Sequence, residues 1–140
     1  MQGWEVTTLA EQLEKSKGGL AELLFIEDFA EPGKLADQLA KKYKNKLKTT
    51  QLRRIFHVIK AIERGMKGRK DEEPLNTNDR REILQLLPEL AYARGRDLIP
   101  QDFYKLMSVC LSSAKQQKVK DFRTLSSFLT AILAYHKYYE

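Results

Sequence analysis

The side chains able to move a proton or attack an electrophile are few: His57, His136 and the single cysteine, Cys110. A histidine pair can divide general base and general acid duties in metal-free RNA cleavage, with Arg53, Lys60 or Arg94 neutralising the phosphate. Each histidine also has a plainer account, His57 as one member of a basic row and His136 as a packing residue among aromatics. Cys110 falls on the apolar period Phe103, Leu106, Met107, Cys110, Leu111, Ala114 and has no activating base beside it in sequence. It reads as a small buried hydrophobe. No His-Glu or Cys-Cys spacing matches a metal centre, Asp71, Glu72 and Glu73 read as hydrated loop carboxylates, and there is no Gly-rich phosphate loop. No catalytic residue, metal or cofactor is therefore expected.

Binding has more to work with. Arg53, His57, Lys60 and Arg64 are separated by four, three and four residues, which places them in one row along a helix. Like charges one turn apart cost a helix a few tenths of a kcal/mol each, roughly, so an anionic partner explains the row better than helix stability does. Arg54 stands beside it. Lys67 and Arg69 lie in Gly65-Met66-Lys67-Gly68-Arg69-Lys70, followed by the acids 71–73 and Pro74. That stretch reads as a loop that either follows a phosphate backbone or balances its own charge. Arg94 and Arg96 flank Gly95 at a turn and add two further cations. Tyr92, Tyr135, His136 and Tyr139 are expected at interfaces or in packing, Tyr92 and Tyr135 having base stacking as a second use.

These groups require a helical scaffold. Leu35, Leu39, Tyr43 and Leu47 recur every four residues, with Lys41, Lys42, Lys44 and Lys46 on the remaining surface. Thr50 is a candidate N-cap for a helix with the core face Leu52, Ile55, Phe56, Ile59 and Ile62. Asn78 is a candidate cap for the next, whose core residues are Ile83, Leu84 and Leu87 and which Pro88 either kinks or divides. Pro100 opens the helix of Cys110, and Phe122, Leu125, Phe128, Leu129, Ile132 and Leu133 mark the last one. The expectation is an all-α, compact bundle of about five helices over residues 34–140. Residues 1–33, where Gly18 and Gly19 break a short helix starting at Thr8 and Pro32-Gly33 mark a boundary, form an acidic segment expected to be peripheral or mobile.

Charge follows this division. Residues 1–33 carry two basic and seven acidic side chains, residues 41–96 sixteen and seven, and residues 97–140 six and four. The middle is thus net +9 within a chain of net +6, a field that attracts polyanions, of which nucleic acid is the commonest. One cysteine rules out an internal disulfide, and the lack of a secretory segment or a bilayer-length apolar run leads to the expectation of a cytoplasmic protein with no membrane partner.

Three segments carry a family resemblance: Leu47-Lys48-Thr49-Thr50-Gln51-Leu52-Arg53-Arg54-Ile55-Phe56, Leu87-Pro88-Glu89-Leu90-Ala91-Tyr92-Ala93-Arg94-Gly95-Arg96, and Phe128-Leu129-Thr130-Ala131-Ile132-Leu133-Ala134-Tyr135-His136-Lys137. In order and spacing they resemble the small subunit of the type III-A CRISPR interference complex, the Csm effector, over about residues 35–139. The resemblance implies a helical, non-catalytic subunit of a ribonucleoprotein, stacked in several copies along crRNA and target RNA beside other Csm subunits that perform the chemistry. Gln51, Arg53 and Arg54 match the family's Thr-x-x-Arg helix start, and Arg96 the arginine closing its Ala-Tyr-x-x-Gly-Arg-like stretch. Arg94 is an additional charge, and Ala134, Tyr135 and His136 match a C-terminal motif that implies packing.

The leading expectation is an antiviral-defence, RNA-binding subunit that holds guide and target mainly by sequence-independent phosphate contacts. Two alternatives stand beside it: a helical adaptor for an acidic protein partner, and a metal-free ribonuclease using His57.

Overall fold

The computed structural model describes residues 3–140. Among them there is no strand, only an isolated bridge between Pro74 and Lys118. A short 3-10 turn, Val6–Thr8, leads into eight α-helices: α1 (Leu9–Lys15), α2 (Leu20–Leu23), α3 (Ile26–Phe29), α4 (Leu35–Tyr43), α5 (Thr49–Arg64), α6 (Thr77–Gly95), α7 (Gln101–Cys110) and α8 (Val119–Tyr139). The chain is all-α, and the long helices α4 to α8 are the five that the apolar periods predict.

Helix α8 is the axis of the bundle: α2, α3, α4 and α5 all pack on it, whereas α6 and α1 pack on α7 and α6 also meets α5. Its buried row Val119, Phe122, Leu125, Phe128, Leu129 and Ile132 keeps three-and-four spacing, so one continuous apolar face is available to each neighbour. The α4 residues Leu35, Ala36, Leu39, Ala40 and Tyr43 and the α5 residues Leu52, Ile55, Ile59 and Ile62 close on it. Phe29 packs on Phe128 with ring centroids 5.1 Å apart, and Tyr43 meets Phe103 of α7 edge-on at 5.7 Å.

Residues 9–29 belong to this same core. Leu9, Leu13, Leu20, Leu24 and Phe29 are buried, so five apolar side chains hold this acidic stretch on the body. Gly19 is buried where the chain passes the N-terminus of α8; a methyl group there would stand 2.6 Å from Asp121 Oδ1.

Helix starts differ from expectation by one or two residues. Helix α5 begins at Thr49, whose hydroxyl donates to Glu140, the residue that follows α8, at 2.6 Å. The cap of α6 is Asn76: its side chain accepts the Asp79 N–H and Asp79 accepts the Asn76 N–H, each at 2.8 Å, a reciprocal capping box. Helix α6 is continuous through Pro88. Pro88 is exposed, so the Leu84 carbonyl deprived of its helical donor lies on a face that water reaches. That face also corrects the expected core: Ile83, Leu86, Leu90 and Ala93 are buried, while Leu84 is 59% exposed and Leu87 only partly covered. With Ile83, Leu86, Leu90 and Ala93 turned to the core, about 100° per residue sets Leu84 on the side away from it.

Candidate nucleic-acid interface

On α5, Leu52, Ile55, Ile59 and Ile62 cover the core, and at about 100° per residue Arg53, His57, Lys60 and Arg64 fall on the opposite side. Arg53, His57 and Arg64 are exposed, as is Arg54 one step round the helix. Arg53, Arg54 and Arg64 make no ion pair or side-chain hydrogen bond among the described residues. Lys60 is half-buried and differently employed: its ammonium stands 3.3 Å from Glu63 Oε1 and 5.6 Å from the centre of the Phe56 ring. Glu63 in turn accepts the Ser126 hydroxyl of α8 at 2.6 Å, which ties Lys60 to the bundle.

The α5–α6 connection is a pinned loop that balances most of its own charge. Met66 is buried, and the Arg69 guanidinium meets Glu73 at 2.5 Å, Asp79 at 2.9 Å and the Pro74 carbonyl at 3.3 Å. From α8, Arg123 donates to Asp71 at 2.6 Å and to the carbonyls of Met66 and Arg69 at 3.1 and 2.8 Å. Lys118 and Lys120 grip Glu72 at 2.8 Å each and hold its carboxyl far below the usual carboxylate range, at about 2. The acids of 71–73 are thereby matched by bases of the fold, and Lys67 and Lys70 remain exposed without an ion pair among the described residues. Gly68 adopts φ +85°, a turn that a side chain would strain.

At the far end of α6, Arg94 and Arg96 have separate tasks. Arg94 donates to Asp97 at 3.0 Å, to Gln101 at 3.1 Å and to the Ile99 carbonyl at 2.8 Å, closing the turn into α7 where Asp97 takes φ +60°. Arg96 is exposed and lies against Tyr92, 3.2 Å from its hydroxyl and 5.8 Å from its ring centre. Tyr92 is 65% exposed and, with Gln51, Arg54, Pro88 and Glu89, lines a cleft of about 250 Å³ between α5 and α6. An open aromatic face flanked by guanidinium groups is chemically suited to a stacked base and its phosphate.

Of the C-terminal tyrosines, Tyr135 and Tyr139 are tied to the bundle and Tyr138 is exposed. Tyr135 donates to the Ala30 carbonyl at 2.7 Å, and Tyr139 donates to Asp37, which lowers the Asp37 carboxyl and pushes the Tyr139 phenol up to about 12. His136 is buried, with Nε2 3.1 Å from the Leu47 carbonyl and Nδ1 3.5 Å from the Thr49 hydroxyl. His57 is on the outward face of α5, so the two histidines do not meet in one site. Cys110 is fully buried, and burial pushes its thiol up to about 12. Among the described residues no group of three His, Cys, Asp or Glu side chains is placed to hold a metal, and no helix is long and apolar enough to cross a membrane.

Several polar residues outside the sequence-derived set organise the structure. Lys115 is buried and donates to the Ser16 carbonyl at 2.7 Å, and Asp121 is buried at the start of α8. For Asp121 a signal exists in the sequence: an acid three residues after the position before an apolar helical run. Lys41, Lys44, Lys46 and Lys48 around the α4–α5 junction are exposed, while Lys42 pairs with Asp102 at 2.6 Å.

No curated protein and no solved structure matches the chain. The family model for Csm2 Type III-A matches residues 27–140.

Proposed function

The chain belongs to the Csm2 Type III-A family, the small structural subunit of the type III-A Csm effector complex, and on that premise we propose that it lies along guide and target RNA as a sequence-independent, non-catalytic phosphate-binding surface. The observation that carries this reading is the set of exposed, unpaired guanidinium groups of Arg53, Arg54 and Arg64 on the outward side of α5. Guanidinium groups without carboxylate partners are free to neutralise a phosphate backbone, which gains affinity by releasing its condensed counterions. Lys67 extends the surface from the loop, and Arg96 with Tyr92 extends it across the α5–α6 cleft. Lys60, Arg69 and Arg94 are engaged with protein groups and act here by holding neighbouring segments in place. The crRNA, the target RNA, other Csm subunits and neighbouring copies are the proposed partners, and the cytoplasm the proposed location.

The test is guide-target RNA binding by the assembled complex carrying Arg53→Glu with Arg64→Glu. Affinity should fall for all RNA sequences alike, and the slope of log affinity against log salt should shrink by roughly 0.7 to 0.9 for each phosphate no longer neutralised. Unchanged RNA affinity in a complex that assembles normally would overturn the reading. The acidic-protein alternative predicts instead that the partner stays bound after nuclease treatment and is released in the same variant.

The separation of His57 from His136 supports the non-catalytic reading, since proton transfer to and from one phosphate needs both groups within reach of it. RNA cleavage by the purified chain that disappears in His57→Ala would reverse this.

A further inference from the structure

A cavity of about 450 Å³ lies where three parts of the chain meet: the Val6–Thr8 turn with α1, the end of α4 and the start of α7. Its wall is largely hydrocarbon, from Val6, Leu9, Ala10, Pro100 and Leu106 with the Tyr43 ring. Leu9, Tyr43 and Leu106 are core residues, so the packing of the bundle fixes the shape of this wall. A concave, mainly apolar space of this size with a few polar groups is the usual form of a small-molecule site. None of Arg53, Arg54, Arg64, Lys67, Tyr92 or Arg96 lines it.

The polar groups divide into committed and free. Lys42 pairs with Asp102 at 2.6 Å, and the Tyr43 phenol beside this carboxylate is pushed above its ordinary range, first by burial and then by the charge of Asp102. Tyr43 therefore stays neutral. Lys46 and Lys105 are exposed and form no ion pair among the described residues, and Glu11 is half-buried and likewise unpaired. Gln101 accepts from Arg94 Nε at 3.1 Å through its oxygen, which turns its amide nitrogen into a free donor. Three lysines against Glu11 and Asp102 leave the lining at net +1. One negative charge balances it, whereas a polyanion would crowd its further charges against Glu11.

We propose that this cavity binds a small organic acid, an aromatic or branched-chain monocarboxylate, with its hydrocarbon against Leu9, Ala10 and Leu106 and its carboxylate at the rim formed by Lys46, Lys105 and the Gln101 amide. Burial of the apolar part supplies most of the affinity, and the rim selects the charge. Val6, Thr7, Leu9, Ala10 and Glu11 precede the stretch that the family model matches, so one wall of the site comes from this chain's own N-terminal element. The site shares no residue with the proposed RNA surface and stands or falls separately from it.

Amide NMR of the full chain titrated with 2-naphthoate tests this, with 2-naphthalenemethanol as the neutral counterpart of similar shape. Naphthoate should move the signals of residues 6–11, 42–46 and 100–106 as one group and bind more tightly than the alcohol. Lys46→Gln with Lys105→Gln should weaken naphthoate binding roughly three- to tenfold, the range expected for two exposed ion pairs, and leave the alcohol unchanged. Ala10→Trp fills the cavity and should abolish binding of both; a native-like spectrum qualifies that variant, and the lysine pair, being exposed, decides the matter if it does not fold. Absence of shifts at the solubility limit of naphthoate, shifts centred on another face, a folded Ala10→Trp chain that still binds, or a double-lysine variant that binds naphthoate like the wild type would each overturn the proposal. Weaker RNA binding by the assembled complex in the double-lysine variant, with naphthoate affinity unchanged, would assign the two lysines to RNA instead.

Discussion

Asp121 accepts the backbone N–H of Ala21 at 2.8 Å, a contact that bridges one hundred residues of sequence. The same carboxylate accepts the N–H groups of Gln117 and Lys118 at 2.9 Å each and is 1% exposed. It thus ties the two residues that lead into α8 to the start of α2, while Leu20 N–H reaches the Lys115 carbonyl at 2.9 Å. Asp121→Ala strands three backbone donors and should lower unfolding stability by about 3 kcal/mol, read from the urea midpoint at constant slope. Gly19→Ala should destabilise as well, because the added methyl group meets this carboxylate. Asp121→Asn, whose amide oxygen still accepts, should lose less than the alanine variant.

Arg69 and Lys67 are two residues apart and should respond in opposite ways. Arg69→Ala leaves the buried Asp79 carboxylate without its cation and should cost about 2 kcal/mol of stability. Lys67→Ala touches an exposed side chain and should change stability by less than about 0.5 kcal/mol while weakening RNA binding by the assembled complex. Thermal melts paired with RNA titrations separate the two.

The clamp on Glu72 gives an acid-side signature. Lys118 and Lys120 lower its carboxyl from 4.5 to about 2 in the folded chain. The folded state therefore holds this proton less readily than the unfolded state, so the clamp's stabilisation is complete above pH 4.5 and is lost as pH falls toward 2. The stability difference between wild type and Glu72→Gln should be constant near neutrality and vanish across that window, and molar salt should shrink it because the pair is exposed. Carbon NMR of the Glu72 carboxyl should give the midpoint directly.

Cys110 should be inert while the protein is folded. Its thiol is fully buried and pushed up to about 12, so neither access nor thiolate favours reaction. Labelling by an aromatic disulfide reagent at pH 8 should proceed at the rate of unfolding and become fast in denaturant. Rapid labelling of the native chain would contradict the placement of α7.

Much of this architecture is legible in the sequence where one period decides the matter. The four-residue recurrence of Leu35, Leu39 and Tyr43 and the row Leu52, Ile55, Ile59 and Ile62 are buried as the pattern requires. Where two signals compete, the longer-range partner decides. Asn76 caps α6 because Asp79 stands three residues on, a spacing that Asn78 lacks. Gly18 and Gly19 read as a helix end, but the reason Gly19 tolerates no side chain is Asp121, far along the chain. In the candidate site, the exposure of Arg53 and Arg64 follows from helix phase, whereas the engagement of Arg69 with Asp79 and of Arg94 with the Ile99 carbonyl depends on how loops close. Composition counts all four as equal positive charges; only the folded chain divides them into free and committed.

The position of α8 at the axis of the bundle has a consequence for biosynthesis. Of the described elements it leaves the ribosome last, yet α2, α3, α4 and α5 each need its apolar face to bury their own. The earlier helices consequently wait with Leu39, Ile55 and Ile59 uncovered until translation reaches Val119 and beyond. Acquisition of structure is thereby a late, collective event for the nascent polypeptide, and truncation within α8 would yield an aggregation-prone remnant rather than a shorter bundle.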